Sequence, residues 1–156
     1  MEKRVKSVDT VQLLESYREM LPMVDILPLQ VSGNSMAPFL VHGRDTVFLS
    51  RVDRPLKVGD IVLYQRKSGS YILHRICRLE GEGFCMVGDA QTVLEHGIQR
   101  DQIFAVVLWA LRKGKRQAPG SFWWEFFEKI WVRMVPWRPL MRRLYGVVCK
   151  CFGRKQ

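Results

Sequence analysis

The sequence predicts a mainly β body, a sandwich or barrel, preceded by a short helix and followed by two amphipathic helices. Three observations carry this reading. Between residues 45 and 111, short apolar segments recur at close spacing with Gly- and Ser-rich turns between them, which is the pattern of antiparallel strands. From residue 121 onward the apolar positions cover most of the surface and leave one narrow polar side, as in amphipathic helices. No period of about 20 to 50 residues repeats, so a solenoid or propeller is not indicated.

Residues 1–8 are polar. Over residues 9–21, Val11, Leu14 and Leu21, with Leu13 and Tyr17, recur at helical spacing; Asp9 or Thr10 can cap this helix and Pro22 ends it. Residues 23–32 read as extended, and GNSMAPFL then makes a turn around Gly33 and Pro38. Strands are expected at 46–50, 60–65, 71–79, 84–87 and 103–111, the last a long apolar run suited to the middle of a sheet. Lys67-Ser68-Gly69-Ser70 and Glu80-Gly81-Glu82-Gly83 are hairpin turns between three of them. The chain thus divides into an N-terminal helical segment (1–22), a β domain (23–111), a basic linker (112–120) and a helical tail (121–156). In the tail, Ser121 caps a first helix that reaches Val135 before Pro136, and Pro139 opens a second.

Charge is distributed unevenly. Residues 1–111 hold 13 basic and 13 acidic side chains, whereas residues 112–156 hold 12 basic ones against Glu125 and Glu128. Four of the five tryptophans also lie in this last part. A neutral body with a basic, aromatic tail points to an anionic partner: an anionic membrane surface ahead of nucleic acid, which is the less favoured partner. Trp123, Trp124, Trp131, Arg133, Trp137, Arg142 and Arg143 are the candidate membrane-surface residues. Each helix is too short for a hydrocarbon core of about 30 Å and carries a cation in its middle. The alternative is that these helices cover the open end of the β body. The N-terminus has no apolar core of a secretory signal, so a cytoplasmic protein, peripheral on the inner face of the plasma membrane, is expected. Cys77 and Cys85 read as small core hydrophobes, and Cys149 and Cys151 as reduced thiols, with a lipid or metal handle at Cys149-Lys-Cys151 as the weaker alternative. No metal or other cofactor is expected.

Three segments combine into possible chemistry. Ser35 sits in the tight turn Gly33-Asn34-Ser35-Met36-Ala37-Pro38, which presents its hydroxyl outward. His74 lies within the strand Tyr71-Ile72-Leu73-His74-Arg75-Ile76, and Asp89 in the turn Gly88-Asp89-Ala90. A serine hydroxyl becomes an effective nucleophile when a neighbouring base takes its proton, and a neutral imidazole can do so near pH 7. Asp89 is the candidate to orient that imidazole. The Ser35 amide is the candidate oxyanion donor.

In this order the segments resemble the signal peptidase I and SOS-repressor peptidase superfamily of serine peptidases. The nucleophile box reads VSGNSMAPFL; Val58-Gly59-Asp60-Ile61-Val62-Leu63, Leu73-His74-Arg75-Ile76 and Gly88-Asp89-Ala90-Gln91 match the boxes that follow. The resemblance covers residues 31–107, about half the chain, and leaves out residues 1–22 and the tail. It implies a signal-peptidase-like β body and a serine endopeptidase acting on a protein or precursor peptide. Ser35 is then the nucleophile, His74 the general base and Asp89 its partner. Gly33, Asn34, Met36 and Pro38 would shape the oxyanion site and cleft, and the substrate would add as a β-strand. Two departures stand out. Most bacterial members use Lys where this sequence has His74, which resembles the Ser-His subtype, and the membrane enzymes carry an N-terminal anchor not seen here. With a histidine base, the rate is expected to fall below about pH 6.5. A non-catalytic peptide- or lipid-binding module of the same fold is the alternative. A self-cleaving regulator is disfavoured, because no Ala-Gly or Cys-Gly pair lies upstream of Ser35.

Overall fold

The computed structural model describes residues 10–141 and residue 143. Helix α1 (Thr10–Met20) forms where the apolar spacing places it. Leu14 and the following Leu21 enter the core, and the Tyr17 hydroxyl donates to the Pro28 carbonyl at 2.5 Å. Asp9, the other expected cap, lies outside the described residues.

Eight strands follow: β1 (Leu27–Gln30), β2 (Thr46–Ser50), β3 (Ile61–Gln65), β4 (Tyr71–Glu80), β5 (Gly83–Val87), β6 (Glu95–Ile98), β7 (Ile103–Arg112) and β8 (Lys115–Gln117). They form one antiparallel sheet in the order β1-β2-β7-β3-β4-β5-β6, with β8 paired to β7. Bulges interrupt the β2–β7, β3–β7, β4–β5 and β5–β6 pairings, and each bends the sheet and increases its twist. Alternation sends neighbouring residues to two cores. Ile61, Leu63, Ala105 and Val107 join one cluster with Leu14 and Phe39; Val62, Tyr64, Ile103 and Val106 join the other with Ile76 and Met86. Burial on both faces explains why β3 and β7 read as unbroken apolar runs.

Two expectations need correcting. Residues 112–120 are not simply a linker: Lys113 (φ 50°) and Gly114 (φ 73°) make a two-residue turn that returns β8 against β7. The tail is not two helices separated at Pro136. Residues 122–141 form one helical run, passing from α2 (Phe122–Glu125) through a π-helical turn (Phe126–Ile130) and a 3-10 segment (Trp131–Trp137). Met134 leaves helical geometry (φ −89°, ψ 15°), and Pro136 is tolerated beside this kink. Among the described residues no helix is long and apolar enough to cross a membrane.

The helical run packs on the sheet through aromatic side chains. Phe39, fully buried just after the Ser35 turn, meets Trp124 edge-on at 6.0 Å and Phe127 at 4.8 Å between ring centroids. Such pairs each add about 0.5–1.5 kcal/mol beyond area burial. Gly59 (φ 99°) lies directly beneath the run, where a Cβ would stand 2.8 Å from the Glu128 carbonyl oxygen. Glu128 is itself buried and paired with Lys57 at 2.5 Å.

Gly59→Ala is therefore expected to destabilise the protein by about 2 kcal/mol or more, from backbone strain and the clash together. Gly69→Ala, at a similar φ of 89° but with nothing within 4 Å of the new Cβ, is expected to cost clearly less. Urea denaturation of both variants checks the comparison.

Candidate active site

Ser35 lies in the loop between β1 and β2 and is partly exposed. Gly33 (φ 81°) opens the turn, and its N–H donates to His42 Nδ1 at 3.1 Å. The Ser35 carbonyl accepts the Ala90 N–H at 2.8 Å. This places the loop against the Gly88-Asp89-Ala90 turn so closely that a Cβ on Gly88 would stand 2.5 Å from the Ser35 oxygen. The glycine is required there by space. Among the described residues the Ser35 N–H has no hydrogen-bond partner.

His74 reaches the same turn from the sheet. It pairs with Val62 across β3, and Arg75 pairs with Val87 across β5. His74 immediately precedes that pair, and it lines one cavity together with Ala90, whose N–H holds the serine loop. No hydrogen bond joins Ser35 Oγ to His74 in this structure; such contacts often tighten only when substrate binds. The imidazole is buried, 4% exposed. Burial lowers its pKa from 6.5 to about 4, with Glu95 opposing the shift. It is therefore neutral at pH 7, and the expected loss of base function near pH 6.5 moves to near pH 4.

Asp89 does not orient His74. Both its oxygens are taken by Arg75, from Nε at 2.9 Å and Nη2 at 2.8 Å, in an ion pair with almost no exposure. Arg75 Nη1 also donates to the Gly59 carbonyl at 2.8 Å. The side chains that contact His74 instead are ones that the sequence reading missed. The Tyr64 hydroxyl donates to Glu95 Oε2 at 2.6 Å and lies 3.4 Å from His74 Nδ1. Its proton is committed to Glu95, so at Nδ1 the hydroxyl serves as acceptor. This contact favours the tautomer with its proton on Nδ1 and the lone pair on Nε2. Arg66 grips Glu95 through Nε and Nη2, both at 2.7 Å, and holds that carboxyl below its ordinary pKa. The signal for Tyr64 was present in the sequence: the Lys67–Ser70 turn fixes a register that puts Tyr64 diagonally across from His74.

Two cavities flank this junction and share Ala90. One, of about 500 Å³, is lined by His74, Arg66 and residues 90–95. The other, of about 720 Å³ and mostly apolar, is lined by Asn34, Ala37, Pro38, Trp131, Arg138 and Met141, with Asp89 and Ala90. Asn34 and Pro38 line this second cavity, whereas Met36 is 2% exposed and belongs to the core. Gly33 is exposed at the loop tip.

Comparison with protein-family models, with curated proteins and with solved structures finds no match. The site stands on its own geometry.

The tail residues divide between two environments. Trp124 is in the core, and Trp131 is half-buried, its Nε1–H donating to the Asp89 carbonyl at 2.9 Å. Trp124 therefore offers no surface to a membrane, and Trp131 offers only part of its ring. Trp123, Arg133, Trp137 and Arg143 are exposed, and Arg142 lies outside the described residues. Arg138 is buried and donates to the carbonyls of Gly88 (2.8 Å), Gln91 (2.7 Å) and Trp131 (3.1 Å). The helical run is thereby fastened to the same turn that meets Ser35.

A depressed histidine pKa makes a stability prediction. Between about pH 6.5 and pH 4 the unfolded chain protonates this histidine while the folded one does not. Stability is expected to fall by about 3 kcal/mol as the pH drops through that window. His74→Gln is expected to flatten the dependence there, as read from urea midpoints at pH 6.5 and 4.5.

Proposed function

We propose that the protein is a serine endopeptidase of the signal peptidase and SOS-repressor type, whose bent sheet serves as the sandwich- or barrel-like body of that superfamily. The observation that carries this reading is the imidazole of His74: buried, neutral, and tied at Nδ1 to the Tyr64–Glu95 pair, beside the loop of a serine with a free amide.

In this reading a rotation of Ser35 brings Oγ to His74 Nε2. Oγ attacks the scissile carbonyl carbon as Nε2 takes its proton, and the Ser35 N–H donates to the oxyanion. Collapse breaks the C–N bond, and the imidazolium returns the proton to the leaving amine. Water, deprotonated by the same nitrogen, then hydrolyses the acyl ester. The substrate is a protein or precursor peptide, its side chains seated in the apolar cleft between Pro38 and Met141. The Tyr64–Glu95 pair stabilises the imidazolium and replaces the aspartate of a conventional triad.

The same reading puts the enzyme peripherally on an anionic membrane, at its cytoplasmic face. Its support is an apolar strip left exposed along the helical run: Phe122 (73%), Trp137 (62%), Ile130 (52%) and Leu140 (50%), in the most basic part of the chain. Such a face suits interfacial binding. Trp137→Ala with Phe122→Ala is expected to weaken co-sedimentation with phosphatidylglycerol vesicles at least several-fold.

One observation favours the alternative, a peptide- or lipid-binding module without catalysis: the missing Ser35–His74 hydrogen bond. Cleavage decides between them. Comparison of protein N-termini in cells carrying wild type or Ser35→Ala at matched expression is expected to show a small set that vanishes in the variant. With a substrate so defined, His74→Ala is expected to abolish cleavage while leaving the fold intact. The wild-type rate is expected to stay level from pH 7 to 5 and fall near pH 4. Identical N-termini in the two strains would reject catalysis.

A further inference from the structure

The far end of the β4–β5 hairpin carries a cluster that the proposed catalytic residues do not use. Cys77, in the bulged part of β4, and Cys85, on β5, bring their sulfurs to 3.3 Å. Cys85 is fully buried and Cys77 half-buried. From the neighbouring strand β6, His96 places Nδ1 2.8 Å from Glu80 Oε1. One donor atom from each of Glu80, Cys85 and His96 lies within 4.8 Å of the other two.

Two sulfurs, an imidazole and a carboxylate form a borderline-soft donor set suited to zinc and poorly suited to calcium or magnesium. A tetrahedral ion holds such donors at about 2.0–2.3 Å, so they would contract around it by side-chain rotation while the strand pairing stays in place. The imidazole and the carboxylate converge on Cys85, and Cys77 joins the cluster through its 3.3 Å contact with the Cys85 sulfur. His96 is exposed, which leaves a path for the ion from solvent. We propose that Cys77, Glu80, Cys85 and His96 form a binding site for a tetrahedral divalent transition-metal ion of the zinc class. Binding forms two metal–thiolate bonds and releases two thiol protons to solvent. The ion would staple β4, β5 and β6 together. It would also order β6 next to Glu95, which holds Tyr64.

The test is cobalt(II) titration of the full-length, fully reduced protein. Expected are one equivalent of cobalt per chain, sulfur-to-metal absorbance in the near ultraviolet, intense tetrahedral bands in the visible, and displacement by zinc. Cys85→Ser is expected to abolish the visible bands. His96→Ala, at an exposed position that leaves the fold intact, is expected to weaken cobalt affinity at least tenfold. Cys149→Ser with Cys151→Ser is expected to leave the spectrum unchanged. Absence of the bands in the folded wild type, their persistence in both Cys85→Ser and His96→Ala, or their loss in the tail variant would overturn the assignment.

Discussion

The buried ion pair between Arg75 and Asp89 is the constraint on which the rest of the site depends. Two charges with almost no exposure are tolerable only because every oxygen of the carboxylate and every nitrogen of the guanidinium has a partner. Removing either partner would strand the other charge, at a cost of about 3–5 kcal/mol. What the pair secures is position. It joins β4 to the Gly88-Asp89 turn and both to Gly59, while the Arg75 guanidinium lies 5.4 Å from the Phe39 ring centroid. The serine loop rests on this turn through the Ser35 carbonyl, and Arg138 and Trp131 bring the helical run to it. Three parts of the chain, remote in sequence, thus take their positions from one carboxylate.

The histidine beside that turn is governed by the opposite kind of electrostatics. Asp89 is saturated by Arg75, and Glu95 acts on the imidazole across the Tyr64 hydroxyl. Desolvation therefore outweighs the attraction of both carboxylates, and the ring stays neutral. A neutral ring with a fixed tautomer can accept a proton; a ring gripped directly by a carboxylate would already hold one over much of the acidic range.

The long strands were legible because burial on alternate or both faces writes itself into apolar spacing; β2 matches its expected span, and β3, β4 and β7 differ by one residue at an end. β1 was read only as extended chain, and β6 and β8 were missed altogether. Their sequences, LPLQ, EHGI and KRQ, carry little pattern, and their pairing is fixed by neighbours far along the chain. Pro136 misled for a definite reason: proline ends a regular α-helix, but a 3-10 segment with a kink at Met134 accommodates it. Ser35 and His74 could be singled out by type and order; the Ser35 loop hydrogen-bonds to Ala90, and His74 and Ala90 line one cavity, with no Ser35–His74 hydrogen bond. Asp89 was assigned to the wrong partner, because order along the chain cannot reveal that Arg75, one residue past His74, faces the carboxylate instead. Cys77 and Cys85 looked like core filling; only the β4–β5 and β5–β6 pairings bring Glu80 and His96 to Cys85.

The apolar cleft has one wall from residues 34–38 and the other from Trp131, Arg138 and Met141. Synthesis is vectorial, so every strand of the sheet is complete once Gln117 has been made, yet the second wall does not exist until the chain has grown through Met141. A nascent chain therefore holds residues 34–38 before the wall that faces them exists. The order of translation itself delays closure of this cavity until the last helical turns have docked.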